Sequence, residues 1–336
     1  MAANKTTWVN GLDSLRFVLA LIVLLSHIHS PVAAAFKHSH NFLLHFAGMF
    51  MEHLFSGAAA VSGFFIISGF VIHYPNKQKD TLRVVPFLIR RLIRIGVPMI
   101  VIGLIASHYN QFYALPLWSL YCELFYYMLY PLLFRMKWSW NTKLYISYVV
   151  CAIFIALLVA VNAGWLPGNK FNGGKGWYWQ TSIIFINLPS WLLGVILAEK
   201  IDYYKGAVTY GKLWLMRGGA LFLAMASIAL RMHYQINYTY TLVVFALFFY
   251  KWLEAEIIYH RHNPAGKFSE YLGKFSYSLY LCHLLCLPLV ERYLPLNVYT
   301  YPLYISLPII MSYVAYLLVE WPAHILAGKI GSKISY

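Results

Sequence analysis

Arg16 and His27 lie in one apolar stretch, GLDSLRFVLALIVLLSHIHS (residues 11–30), which is unbroken hydrocarbon from Phe17 to Leu25. Histidine is the side chain whose ordinary pKa lies near neutrality, as a general base requires. Arginine grips phosphates and carboxylates with two parallel hydrogen bonds. On a helix, the step from position 16 to 27 turns through about 1,100°, about 20° from a whole number of turns, and rises about 16 Å. The two side chains therefore share a face, with Asp13 one turn before Arg16. A charge at the centre of a bilayer costs about 2.5–3.5 kcal/mol on insertion scales, so such residues turn inward and mark function. Taken singly, Arg16 reads equally as a residue snorkelling to the headgroups, and His27 as an interior histidine bonded to a carbonyl. The common face favours a joint role.

Three further clusters carry chemistry. In PFLIRRLIRIGVP (86–98), Arg90, Arg91 and Arg94 crowd the mouth of an apolar segment. Topology alone needs only positive charge, whereas three arginines without a lysine suit a phosphate clamp. In LPLWSLYCELFYYMLYP (115–131), Glu123 stands alone among apolar residues and must face a polar partner; Trp118, Ser119, Tyr126 and Tyr127 read equally as packing and belt residues. In FSYSLYLCHLLC (275–286), Tyr280 and His283 share a face, and VEWP (319–322) brings Glu320, which is equally a helix-end carboxylate. Cys122, Cys151, Cys282 and Cys286 all fall in apolar runs, so neither a disulfide framework nor a metal site is expected.

The elements that position these residues follow from composition. Of 336 residues, 61% are hydrophobic and 11% charged, against about 25% charged in soluble domains; the chain is an integral membrane protein. Apolar runs near 12–35, 50–73, 87–107, 115–134, 143–163, 181–199, 214–230, 238–252, 274–292 and 300–320 predict an all-α polytopic bundle of about ten transmembrane helices. The first resembles a secretory signal, with Ala33-Ala34-Ala35 as a cleavage site, but its polar Arg16 and His27 argue for a retained helix. With the N-terminus cytoplasmic, 20 of the 26 Lys and Arg fall on inside segments and 5 outside, with Arg16 in the first span. This bias predicts both termini inside and accounts for the net charge of +15 without nucleic acid. One outside loop, WLPGNKFNGGKGWYWQ (165–180), is Gly-rich and aromatic, an interfacial belt or a sugar platform. The whole chain, 1–336, reads as one transmembrane domain with no added soluble domain.

Taken together, Asp13-x-x-Arg16 followed by ten residues and His27, FFIISGFVI (64–72), RRLIRIGVP (90–98), WSLYCELFYYMLYP (118–131), SYSLYLCH (276–283) and EWP (320–322) resemble the acyltransferase 3 family of membrane-bound O-acyltransferases. The resemblance runs in family order along nearly the whole chain. It implies ten or so helices in the inner membrane, an acyl-CoA donor reached from the cytoplasm, and an acceptor hydroxyl on an envelope glycan or lipid-linked sugar. It also implies that His27 is catalytic and that Arg16, Arg91 and Arg94 are functional. Ser14 stands where relatives often have Gly, and Cys122-Glu123 where they have Glu-Glu or Val-Glu.

The expected mechanism is acyl transfer, most simply acetyl from acetyl-CoA, with no permanently bound cofactor. His27 would be the base, directly or through an acyl-His27 intermediate. Glu123 would orient its imidazole or bind the acceptor. Arg90, Arg91, Arg94 and Arg16 would hold the donor, with Asp13, Trp118, Ser119, Tyr126, Tyr280, His283 and Glu320 in support. The alternative is a multi-pass transporter of a polar or anionic solute, although matching broken-helix halves are not visible.

Overall fold

The computed structural model describes residues 9–112, 115–161 and 177–334, and the architecture over these residues is all-helical. Most of the aromatic loop at 165–180 lies outside the described residues. The helices are α1 (Leu12–Ser26), α2 (Pro31–Lys37), α3 (Phe42–His53), α4 (Gly57–His73), α5 (Val84–His108), α6 (Leu117–Arg135), α7 (Trp140–Val161), α8 (Trp177–Lys200), α9 (Tyr210–Tyr234), α10 (Tyr238–His262), α11 (Lys267–Gly273), α12 (Ser276–Tyr293), α13 (Tyr301–Ala315) and α14 (Trp321–Lys333).

α4 is the axis of the bundle. Its sequence GAAAVSGFFIISGFVIH is apolar nearly all round, which suits a helix enclosed by others, and it packs against α1, α8 and α10. Two glycines let α4 and α8 meet backbone to backbone. A Cβ on Gly69 would lie 1.9 Å from the Trp191 carbonyl oxygen, and one on Gly194 would lie 1.9 Å from that of Ile66. Close approach through small residues is how membrane helices gain packing where lipid offers no hydrophobic drive.

α1 is set from its first residue. Gly11 adopts φ 90°, open to glycine at little cost, and the Glu270 carboxylate of α11 accepts from Gly11 N at 3.2 Å, Ser14 N at 3.0 Å and Ser14 Oγ at 2.6 Å. A carboxylate at a helix N-terminus satisfies orphan donors and the helix dipole together. At the other end α1 stops at His27, its C-cap; Ser30 caps α2, Pro31 opens it, and the chain bends by 56° between the two helices. α1 has 15 residues, about 22 Å of helix, short of a hydrocarbon core of about 30 Å. His27 therefore stands at the break between the two helices of a bent apolar pair.

Among the described residues, five helical stretches are long and apolar enough to cross a membrane, Phe42–His73, Trp140–Ala160, Thr181–Tyr203, Tyr210–Tyr234 and Tyr301–Gly331, and the bent α1–α2 pair is a sixth when its two helices are counted as one span. The remaining expected spans are present as α5, α6, α10 and α12, of 25, 19, 25 and 18 residues, but fall outside that apolar set. The physical reason is their polar residues: arginines on α5, tyrosines and Glu123 on α6, a charged last turn on α10, and hydroxyls and His283 on α12.

Candidate active site

Three cavities run in series through the bundle. At the end where α1 begins, a cleft of 570 Å³ opens between the α4–α5 link, α5 and α14, lined by Lys79, Arg83, Arg90, Arg91, Arg94 and His324. Next comes a narrow inner pocket of 90 Å³, where Arg91 and Arg94 recur beside Arg16, Ser68, Glu123, Tyr127 and Tyr280. At the end where α1 breaks lies a chamber of 780 Å³, lined by His27, Glu52, Trp118, Tyr238, Tyr280 and Tyr301 among others. The cleft and inner pocket share Arg91 and Arg94; the inner pocket and chamber share Val61 and Tyr280.

The inner pocket joins three of the clusters. Arg91 and Arg94 lie half-buried, Arg91 with its guanidinium 6.0 Å from the Phe87 ring and 5.9 Å from the Tyr127 ring. Neither has an ion-pair partner within bonding distance among the described residues. Two adjacent cations without a paired carboxylate make a site that favours an anion. Arg16 is 3.6 Å from Asp13, so that pair leaves Asp13 as the holder of Arg16 rather than a cavity residue. Glu123 accepts from Ser68 Oγ at 2.7 Å and from the Tyr127 hydroxyl in a short bond. Ser68 and Tyr127 complete the pocket; from sequence Tyr127 reads only as a packing or belt residue, and Ser68 has no assigned role. For Ser68 the SGF motif was the available signal, since Gly69 is the contact that brings α8 alongside.

At the chamber His27 Nδ1 lies 2.8 Å from the Val23 carbonyl oxygen. A carbonyl only accepts, so Nδ1 carries the hydrogen and the lone pair sits on Nε2. Two expectations change here. His27 is exposed to the chamber rather than buried between helices. Its orienting partner is Val23, while Glu123 bonds in the other cavity, across Val61 and Tyr280.

Behind His27, the His283 ring lies 5.0 Å away, centroid to centroid, fully enclosed; its Nδ1 donates to the Tyr280 carbonyl at 2.7 Å, and Nε2 has no partner among the described residues. Between pocket and chamber, the Tyr280 hydroxyl and Ser119 Oγ bond at 2.5 Å, with Ser119 4% and Tyr280 6% exposed. Trp118, one residue earlier, faces the chamber.

Besides Asp13 and His283, two more expected residues line none of these cavities. Tyr126 is fully buried with its hydroxyl on the Ile184 carbonyl at 2.6 Å, a tie between α6 and α8. Glu320 ends a π-helical turn, Tyr316–Glu320, and accepts from Ser278 N at 3.1 Å and Ser278 Oγ at 2.5 Å. That is a cap on the first turn of α12, which realises its reading as a helix-end carboxylate.

A family model described as an acyltransferase domain, Acyl_transf_3, matches residues 9–321, from the turn before α1 to the first residue of α14. The chain belongs to the acyltransferase 3 family. It is a membrane acyltransferase, which sets aside the transporter reading. No curated protein and no solved structure matches the chain.

Proposed function

We propose that this acyltransferase moves an acyl group, acetyl in the simplest case, from acyl-CoA in the cytoplasm to a hydroxyl of an envelope glycan or lipid-linked sugar on the far side. The reading takes the bundle as ten crossings of the inner membrane, with both termini cytoplasmic. The observation that carries it is the series of cavities, each sharing wall residues with the next, with arginines at one end and a histidine at the other. The arginine end then faces the cytoplasm, in keeping with the positive-inside bias. The pantetheine arm lies through the inner pocket, and the thioester reaches His27, about 16 Å from Arg16 along α1.

In the chemical step the acceptor oxygen attacks the thioester carbonyl while His27 Nε2 takes the hydroxyl proton. The carbon–sulfur bond breaks, the sulfur takes a proton, and the products are an ester and free CoA thiol. Trp118, Tyr238 and Tyr301 give the chamber apolar faces for a sugar ring, and Glu52 gives it an acceptor for hydroxyls. The inner pocket, at 90 Å³, meets the chamber at Tyr280, whose hydroxyl is bonded to Ser119. That bond is therefore the latch the arm must part.

The test is release of CoA thiol from acetyl-CoA by purified protein in lipid, with and without the host's surface glycan. The expected result is thiol release that depends on the glycan, with one acetyl ester found on the glycan by mass spectrometry per thiol. Thiol release with no glycan ester, or none at all, would overturn the reading.

A further inference from the structure

The cations of the arginine cleft exceed what a diphosphate needs, and their order is informative. Arg91 and Arg94 line both cleft and inner pocket, so they stand at the throat, where the pantetheine arm would leave the diphosphate. Lys79, Arg83 and Arg90 line the cleft only and lie further out. Positions 83, 90 and 94 fall within about 40° of one another around α5. A topological signal requires a number of charges, not a shared face aimed into a concavity. Five Lys and Arg line the cleft, and the described residues lining it include no carboxylate.

The rim is also shaped. Arg83 is the residue preceding α5, and Lys79 is held by its Nζ donating to Asn76 Oδ1 at 2.8 Å, with Asn76 itself anchored on the Ile72 carbonyl at 2.8 Å. An ammonium has three hydrogens, so this one bond aims Lys79 without exhausting it. From Arg83 to Arg94 the helix rises about 16 Å, room for two separate phosphate positions along one wall.

We propose that Lys79 and Arg83 bind the 3′-phosphate of the donor's ribose, and so make the enzyme selective for CoA thioesters over their 3′-dephospho counterparts. The proposal rests on the acyl-CoA reading above. A phosphate monoester carries about −1.5 to −2 charge at neutral pH, which the throat arginines, engaged with the diphosphate, do not balance. The two rim cations supply that balance, and the dephospho donor carries no group for them to bind.

The experiment compares thiol release from acetyl-CoA and from 3′-dephospho-acetyl-CoA, by the native enzyme and by the K79Q/R83Q variant, with acceptor present. The native enzyme is expected to favour acetyl-CoA by roughly ten- to hundredfold in kcat/KM, the worth of a charge-assisted hydrogen bond or two, with the difference in KM. In K79Q/R83Q the preference falls toward one, with kcat on acetyl-CoA kept. Adenosine 3′,5′-bisphosphate competes with acetyl-CoA in the native enzyme and much more weakly in the variant. Equal use of both donors by the native enzyme overturns the proposal. So does a variant that loses activity on both alike, which would make the rim a general field. Native enzyme that releases thiol from neither donor would instead strike the acyl-CoA reading itself. Lys79 and Arg83 are both exposed, so the double variant keeps the packed bundle intact.

Discussion

At the arginine end the site is written on continuous secondary structure: four of the five cleft cations belong to α5 or the residue preceding it, and α14 supplies the facing wall. At the histidine end it is assembled from interruptions. His27 caps a helix that stops short, and the chamber walls come from the α1–α2 bend, the α3–α4 link and the ends of α6, α9, α10 and α13. A helix face holds charges at fixed spacings, which under the proposed acyl-CoA reading suits a donor whose phosphates never change. Links and helix ends can change length without disturbing the bundle, which suits acceptors that differ. Irregular backbone at membrane depth is tolerated only where it lines a cavity or is covered by protein, and here the break opens onto the chamber.

If that division holds, perturbing the two ends should give separable kinetic signatures. His27→Ala should lower turnover by on the order of 10²–10⁴, the span of general base catalysis, with acyl-CoA binding by equilibrium dialysis retained. Full acylation of the glycan by this variant would remove His27 from the mechanism. Arg91→Ala and Arg94→Ala should each raise KM for acetyl-CoA by roughly ten- to hundredfold while kcat changes far less; lysine should restore only part, because an ammonium lacks the bidentate fork. A loss confined to kcat would instead place these arginines at the reacting centre.

The partition offers a finer probe. Tyr280→Phe keeps the ring and removes one partner of the buried bond to Ser119, a loss of about 1–3 kcal/mol in latch strength. Its expected result is a severalfold rise in acetyl-CoA hydrolysis without acceptor, as water from the chamber reaches the thioester; hydrolysis equal to the native rate would mean the latch does not gate the arm. Trp118→Ala should act at the chamber alone, weakening acceptor by a few-fold through lost ring contact, with KM for acetyl-CoA held constant. A matching change in donor KM would show that the two ends are not independent.

Much was legible from sequence because lipid penalises the wrong residues so strongly. The membrane class, and the facing of Arg16, Glu123 and His27 onto cavities rather than hydrocarbon, follow from placing polar groups where lipid would be costly. Helix positions followed from apolar runs, while the polar residues that α5, α6 and α12 bring to the inner pocket keep those helices out of the most apolar set. Periodicity around a single helix could assign Arg16 and His27 to one face. It could not reveal that a partition of Tyr280, Ser119 and Val61 stands between their cavities. Which partners Glu123, Glu320 and Tyr126 chose, Ser68 and Tyr127, Ser278, and Ile184, depended on helices 40 or more positions away in most cases, meeting through glycines and turns. Sequence alone determined that these polar groups must be hidden from lipid, because that cost is local to each residue. Only the tertiary structure decided what each is hidden against, because a helix's neighbours are set by packing between segments and not by the segment's own pattern.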